Sequence, residues 1–198
     1  MKEQLRDKTR DELAEHLNTI GIDAVLSARG RPHEDVGNKW WRRSLGVIDL
    51  SGGPIGWINV IKKDRSDKSP PRWWMFLGVP DSREIPESRS VNIKTKRKKS
   101  FPIFGKVIGV TWKGSGHGQM LAHELSIDQE IDNLAAEIGN LRVETLHGDF
   151  SGWTIEVDRK IAPTKQQWAA LEKIAGICTR TSIELPNQPS PPPPVSRS

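Results

Sequence analysis

Apolar residues fall at alternate positions or in short unbroken runs over most of residues 44–80, and this stretch sets the fold class. Ser44 to Leu50, Ile55 to Ile61 and Trp73 to Leu77 are three β-type runs bounded by turn chemistry. Gly52-Gly53 separates the first two and supplies the positive φ that a tight hairpin needs. Within the second run Ile55, Trp57, Asn59 and Ile61 share one face, while Gly56, Ile58 and Val60 share the other. Both faces carry apolar residues, which predicts an inner strand covered on two sides. A polar segment over 62–72 leads to the third run, which ends at Pro80.

Upstream, Thr9 and Glu12 have capping-box spacing, and Leu13, Leu17 and Ile20 recur at helical intervals before Gly21. Asp23 as a cap, Val25, Leu26 and a closing Gly30 predict a short second helix. That order admits a helix-turn-helix, but a pair of capped helices covering a sheet is the commoner arrangement. Downstream, Val91 to Ile93 and Phe101 to Phe104 read as short strands, with the charge run Lys94 to Lys99 as the tip of a long hairpin. Residues 106–112 alternate as a strand, and 113–118 form a glycine-rich connection. Ser126 and Gln129 open another capping box for a helix with the stripe Ile127, Ile131, Leu134 and Ile138.

Leu141 to Leu146 alternates again, and a turn over 147–152 leads to a strand with Trp153, Ile155 and Val157 inward and Thr154, Glu156 and Asp158 outward. Pro163-Thr164 starts a last helix striped by Trp168, Leu171, Ile174, Ala175 and Cys178. The expected fold is α+β: two helices, a run of strands, a helix, a hairpin and a final helix. Its mainly antiparallel sheet has about five to seven strands, with the helices packed on it. Strand-helix-strand alternation is missing, which argues against a doubly wound nucleotide fold. Residues 1–185 are expected to form a single domain. The Pro- and Ser-rich segment 186–198 has nothing to bury and is expected to be disordered or polyproline-like.

Composition narrows the class without naming a role. Of 198 residues, 35% are hydrophobic and 28% charged, ordinary values for a soluble domain. No run of about 18 apolar residues exists, and the first residues do not form a secretory signal. A single cysteine, Cys178, excludes an internal disulfide framework and a cysteine-based zinc module. It fits a reducing cytoplasm. The net charge of +5 is uneven: residues 38–113 carry 17 Lys and Arg against 6 Asp and Glu, and the remainder carries 13 against 19. A basic middle between acidic flanks points to an anion-attracting face.

Three constellations carry candidate chemistry. The first is basic and aromatic: Lys94, Lys96, Arg97, Lys98 and Lys99, with Lys62, Lys63, Arg65 and Arg72, for phosphates, and Trp40, Trp73 and Trp74 as platforms for unpaired bases. This is the leading reading, a non-enzymatic nucleic-acid or polyanion-binding module with no cofactor. The second is Asp149, Glu156, Asp158 and Lys160, whose final acid-x-lysine spacing resembles half of the PD-D/E-x-K nuclease motif. In that chemistry carboxylates hold a divalent ion and a lysine steadies the attacking water. No proline precedes Asp149, and the match touches only about a dozen residues. The third is the proline tail, a ligand for a protein partner in an adaptor. His117, His123, Glu124 and His147 lack the helical spacing of a zinc protease, and Gly114, Gly116 and Gly118 follow Lys113 where a phosphate loop has its lysine last. Neither set is assigned a metal or nucleotide.

Overall fold

A computed structural model of the chain describes residues 7–83, 85–100, 107–147 and 150–181. The described elements are α1 (Thr9–Thr19), β1 (Asp23–Leu26), β2 (Arg43–Ser51), β3 (Trp57–Lys63), β4 (Arg72–Pro80), β5 (Asn92–Lys99), β6 (Val107–Gly114), α2 (Gly118–Ile127), α3 (Gln129–Ile138), β7 (Leu141–His147), β8 (Phe150–Val157) and α4 (Lys165–Arg180). The fold is α+β, with four helices on one open, wholly antiparallel sheet of eight strands in the order β1-β2-β3-β4-β8-β7-β5-β6. The segment 186–198 and the strand expected at 101–104 lie outside the described residues. None of the described helices is long and apolar enough to cross a membrane.

One cross-strand row shows how the sequence builds the core. Ile48, Ile58, Leu77, Ile155, Val143 and Ile93 are register partners across β2, β3, β4, β8, β7 and β5. All six are fully buried in one cluster with Leu17 of α1, Leu121 of α2, Ile131 of α3 and Leu171 of α4. Each such side chain contributes about 1.5–3 kcal/mol relative to exposure. The helices therefore cover this face of the sheet.

The other face divides in two. Its corresponding row runs Val47, Asn59, Phe76, Glu156, Arg142, Lys94, Lys113, one residue from each of β2, β3, β4, β8, β7, β5 and β6. The row changes from buried to charged between β4 and β8. Over β2–β4 the face is roofed by the segment 28–42, which carries a 3-10 turn at Pro32–Asp35 and packs Val36 against Val47, Trp57, Ile61, Trp74 and Phe76. Asn59, with no exposed surface, pins this roof. Its amide donates to the carbonyls of His33 (3.0 Å), Glu34 (3.0 Å) and Val36 (2.9 Å), and its oxygen accepts from Ser44 Oγ at 2.7 Å. Gly37, at φ +74°, passes so close to the Phe76 ring that a Cβ would strike it.

Several expectations are corrected. Residues 23–26 form an edge strand instead of a second helix, pairing with β2 from Asp23↔Ser51 to Leu26↔Ile48. Four residues are too few for a helix, and the helix-turn-helix arrangement falls with it. The charge run is the body of β5 and not a hairpin tip: it pairs with β6 from Ile93↔Gly114 to Lys99↔Val107. The glycine-rich connection gives way to α2, which begins at Gly118. Ser126 lies inside α2 and donates to the Ala122 carbonyl at 2.6 Å, while Asp128 caps α3 by accepting from Glu130 and Ile131. At α4 the cap is Thr164, reciprocated by Gln167.

Candidate nucleic-acid interface

Alternation along β5 divides its cations between the two faces of the sheet. Lys94, Lys96 and Lys98 are exposed on the unroofed face, with Thr95 buried between them. Arg97 turns toward the helices and donates to the carbonyl of Ala136 in α3; its burial and the neighbouring Arg159 lower its pKa. The Cα atoms of successive residues on one strand face stand about 7 Å apart. Next to them on the outer strand β6 is Lys113, partner of Lys94. Among the described residues, no carboxylate lies within ion-pair distance of Lys94, Lys96, Lys98 or Lys113.

β5 pairs with β7 only over Asn92–Lys94 and then runs on past the start of that strand. The notch this leaves is a basin of about 570 Å³. Lys94, Lys96, Arg97, Arg142 and Arg159 line it, against two carboxylates, Glu156 and Asp158. Asp158 is occupied: it accepts from the Asn140 backbone (3.0 Å) and side-chain amide (2.5 Å) and lies 3.5 Å from Arg159. Glu156 lies 3.8 Å from Arg142 and is largely shielded from water.

Burial pushes the Glu156 carboxyl above its ordinary 4.5, against the pull of Arg142 and Arg42. A raised folded pKa means that the folded state holds this proton more tightly than the unfolded chain does. Stability from this group is then present below the unfolded pKa and lost as pH rises through the folded one. Glu156→Gln is expected to melt higher than the parent at about pH 7.5, with the difference closing near pH 4, in paired thermal scans.

At the other end of the open face the roof supplies a second cluster. The Arg42 guanidinium packs against two indoles that meet edge-to-face at 70°, 4.2 Å from the Trp41 ring centre and 3.8 Å from that of Trp74. Arg72 stands 5.4 Å from Trp74 and Lys63 5.8 Å from Trp41. Burial lowers the Arg42 pKa, with Arg72 and Arg142 adding to the effect. Its Nε has no hydrogen-bond partner. Trp40 beside it is 95% exposed. Between this cluster and β7–β8 lies a pocket of about 340 Å³. At its edge the half-buried His147 shares a 2.5 Å hydrogen bond with Thr154, and burial lowers its pKa.

The predicted binding residues do not all meet. Lys94, Lys96 and Lys98 share the open face, and Lys63, Arg72 and Trp74 lie at its roofed end beside Trp40. Lys62 is on the helix side, 2.7 Å from Asp7 and 3.4 Å from Asp64; its hydrogen bond to Asp7 raises its pKa. Trp73 is half-buried on the same side, and Arg65 sits in the exposed β3–β4 turn. The Lys99 side chain and the whole of Asp149 fall outside the described residues. Glu156 and Asp158 lie on the open face, but Lys160 stands over the Trp73 ring at 4.2 Å on the opposite one, so the acid-x-lysine unit does not converge. Among the described residues no three His, Cys, Asp or Glu side chains are grouped to hold a metal ion. Cys178 is fully buried, and burial pushes its thiol far up, as for an inert packing residue.

Sequence reasoning left Arg142, Arg159 and Lys113 out of the site. Alternation placed Arg142 on the polar face of its strand. Only the pairing of β5 with β7, which leaves no local signal, sets it beside Lys94. Comparison with protein-family models, with curated proteins and with solved structures finds no match.

Proposed function

We propose that this chain is a nucleic-acid-binding module whose ligand lies along β5, across the unroofed half of the sheet. The observation that supports it most is the contrast in pairing. Lys62, Arg43 and Lys173, elsewhere on the molecule, have carboxylates at 2.7, 2.8 and 2.6 Å. The four lysines of the β5–β6 face have none among the described residues. The strands themselves hold six cations and no carboxylate, and the acids of β7 and β8 are already turned toward Arg142 and Asn92. Lysines repeating along one extended strand suit a ligand that is itself a row of charges.

Fluorescence anisotropy of a labelled single-stranded oligonucleotide tests the proposal. Four phosphate contacts at about 0.7 released ions each give an expected slope near −3 for log affinity against log salt concentration. Binding indifferent to salt, or no binding at low salt, removes the proposal.

A further inference from the structure

We infer that the pocket beside the Trp41–Arg42–Trp74 cluster takes one unpaired nucleobase of the bound strand, so that the ligand class is single-stranded nucleic acid; this rests on the nucleic-acid reading above. The pocket and the basin adjoin, with Arg142 and Glu156 lining both. A strand with phosphates on Lys94 and Lys96 therefore passes its bases along the pocket mouth.

The two cavities differ in charge. The basin has five cations against two carboxylates, which favours phosphate. The pocket sets Lys39, Arg42 and Arg142 against Asp35, Glu144 and Glu156, a balance that gives no net attraction for an anion. It offers donors and acceptors together over the apolar edge of Phe76. That is the complement of a base, which is neutral, flat and carries both kinds of hydrogen-bonding group on its edge. Ligand sites begin at about 300 Å³, and the pocket's 340 Å³ admits a base but not a base pair stacked in a duplex.

Arg42 is prepared for this role. Two indoles set edge-to-face at 70° flank its guanidinium, and among the described residues it makes no side-chain hydrogen bond or ion pair. Its donors are thus uncommitted at the wall of a cavity. Trp40, almost fully exposed, adds a surface on which the adjacent base stacks. A duplex delivers neither base without unstacking and unpairing first.

The test compares three labelled probes of equal length on the intact protein, as DNA and again as RNA: a mixed-sequence single strand, its duplex, and a strand made only of abasic nucleotides. The intact strand is expected to bind at least about tenfold more tightly than either of the others, since one stacked base contributes about tenfold. Trp40→Ala, at a position with no packing role, is expected to weaken the intact strand by about tenfold and leave the abasic strand unchanged. Arg42→Gln is expected to act in the same direction. Equal affinity for intact and abasic strands, with the salt slope retained, overturns the base pocket while leaving the charge-based function standing. Absence of binding to every probe overturns both.

Discussion

Replacing Lys94, Lys96 and Lys98 together by alanine is expected to weaken oligonucleotide binding by about ten- to a hundredfold near 0.1 M salt. It is also expected to remove about two from the salt slope, at about 0.7 per phosphate contact. The three side chains are exposed and, among the described residues, unpaired, so the fold does not depend on them. Thermal midpoints of parent and variant should agree within about 1–2 °C, the shift that the roughly 0.5 kcal/mol typical of surface positions gives in a domain of this size. Net charge alone is controlled for by a second variant, Lys165→Ala with Lys173→Ala and Arg180→Ala. It removes three cations from α4, on the helix side of the molecule. That protein should bind with the parent's slope. If the two triple variants weaken binding equally, the attraction is diffuse and β5 has no special place in it.

Asn59→Ala is expected to lower stability by about 3 kcal/mol or more, because it strips the donor from three buried carbonyls at once and leaves the Ser44 hydroxyl without its acceptor. For a domain of this size that is a drop of roughly 6–12 °C in the melting midpoint. Asn59→Asp preserves the volume and the Ser44 contact but points a carboxylate at the carbonyls of His33, Glu34 and Val36. It should be the worse of the two. A melt of the Asp variant that overlays the parent would show that the roof is not held this way. Both substitutions act far from the lysines of β5, yet they loosen the segment that presents Lys39, Trp40 and Arg42, so any remaining affinity should lose its preference for intact over abasic strands.

Periodicity exposed the strands that are inner and two-sided, and it did so for a physical reason. Ile58 and Val60 pack under the helices while Trp57 and Ile61 pack under the roof, so both faces are written in the sequence. The stripe of α4 was legible in the same way, as was the inward set Trp153, Ile155 and Val157. At the edges the signal fails. β1 is four residues long and leaves Val25 and Leu26 exposed, so its strand character comes from hydrogen bonds to β2 and not from burial. β5 is hidden by its own composition: lysines have low β-propensity, and a charge run reads as a loop until the strands beside it supply the ladder. The candidate site depends on β7 and β8 standing between β4 and β5, a long-range pairing that no local pattern records. The proposed phosphate row was therefore visible as composition, and the Arg142–Glu156 floor only as geometry.

The strand order also bears on the sequence of events during synthesis. Of the described strands, the hairpin β7–β8 is the last to leave the ribosome, and it occupies the middle, between β4 and β5. A nascent chain that stops short of Leu141 holds two fragments, β1–β4 and β5–β6, with no ladder joining them. The lysine-bearing strand gains its inner neighbour only once that hairpin arrives, so its open face is completed only after the chain has been made as far as Val157.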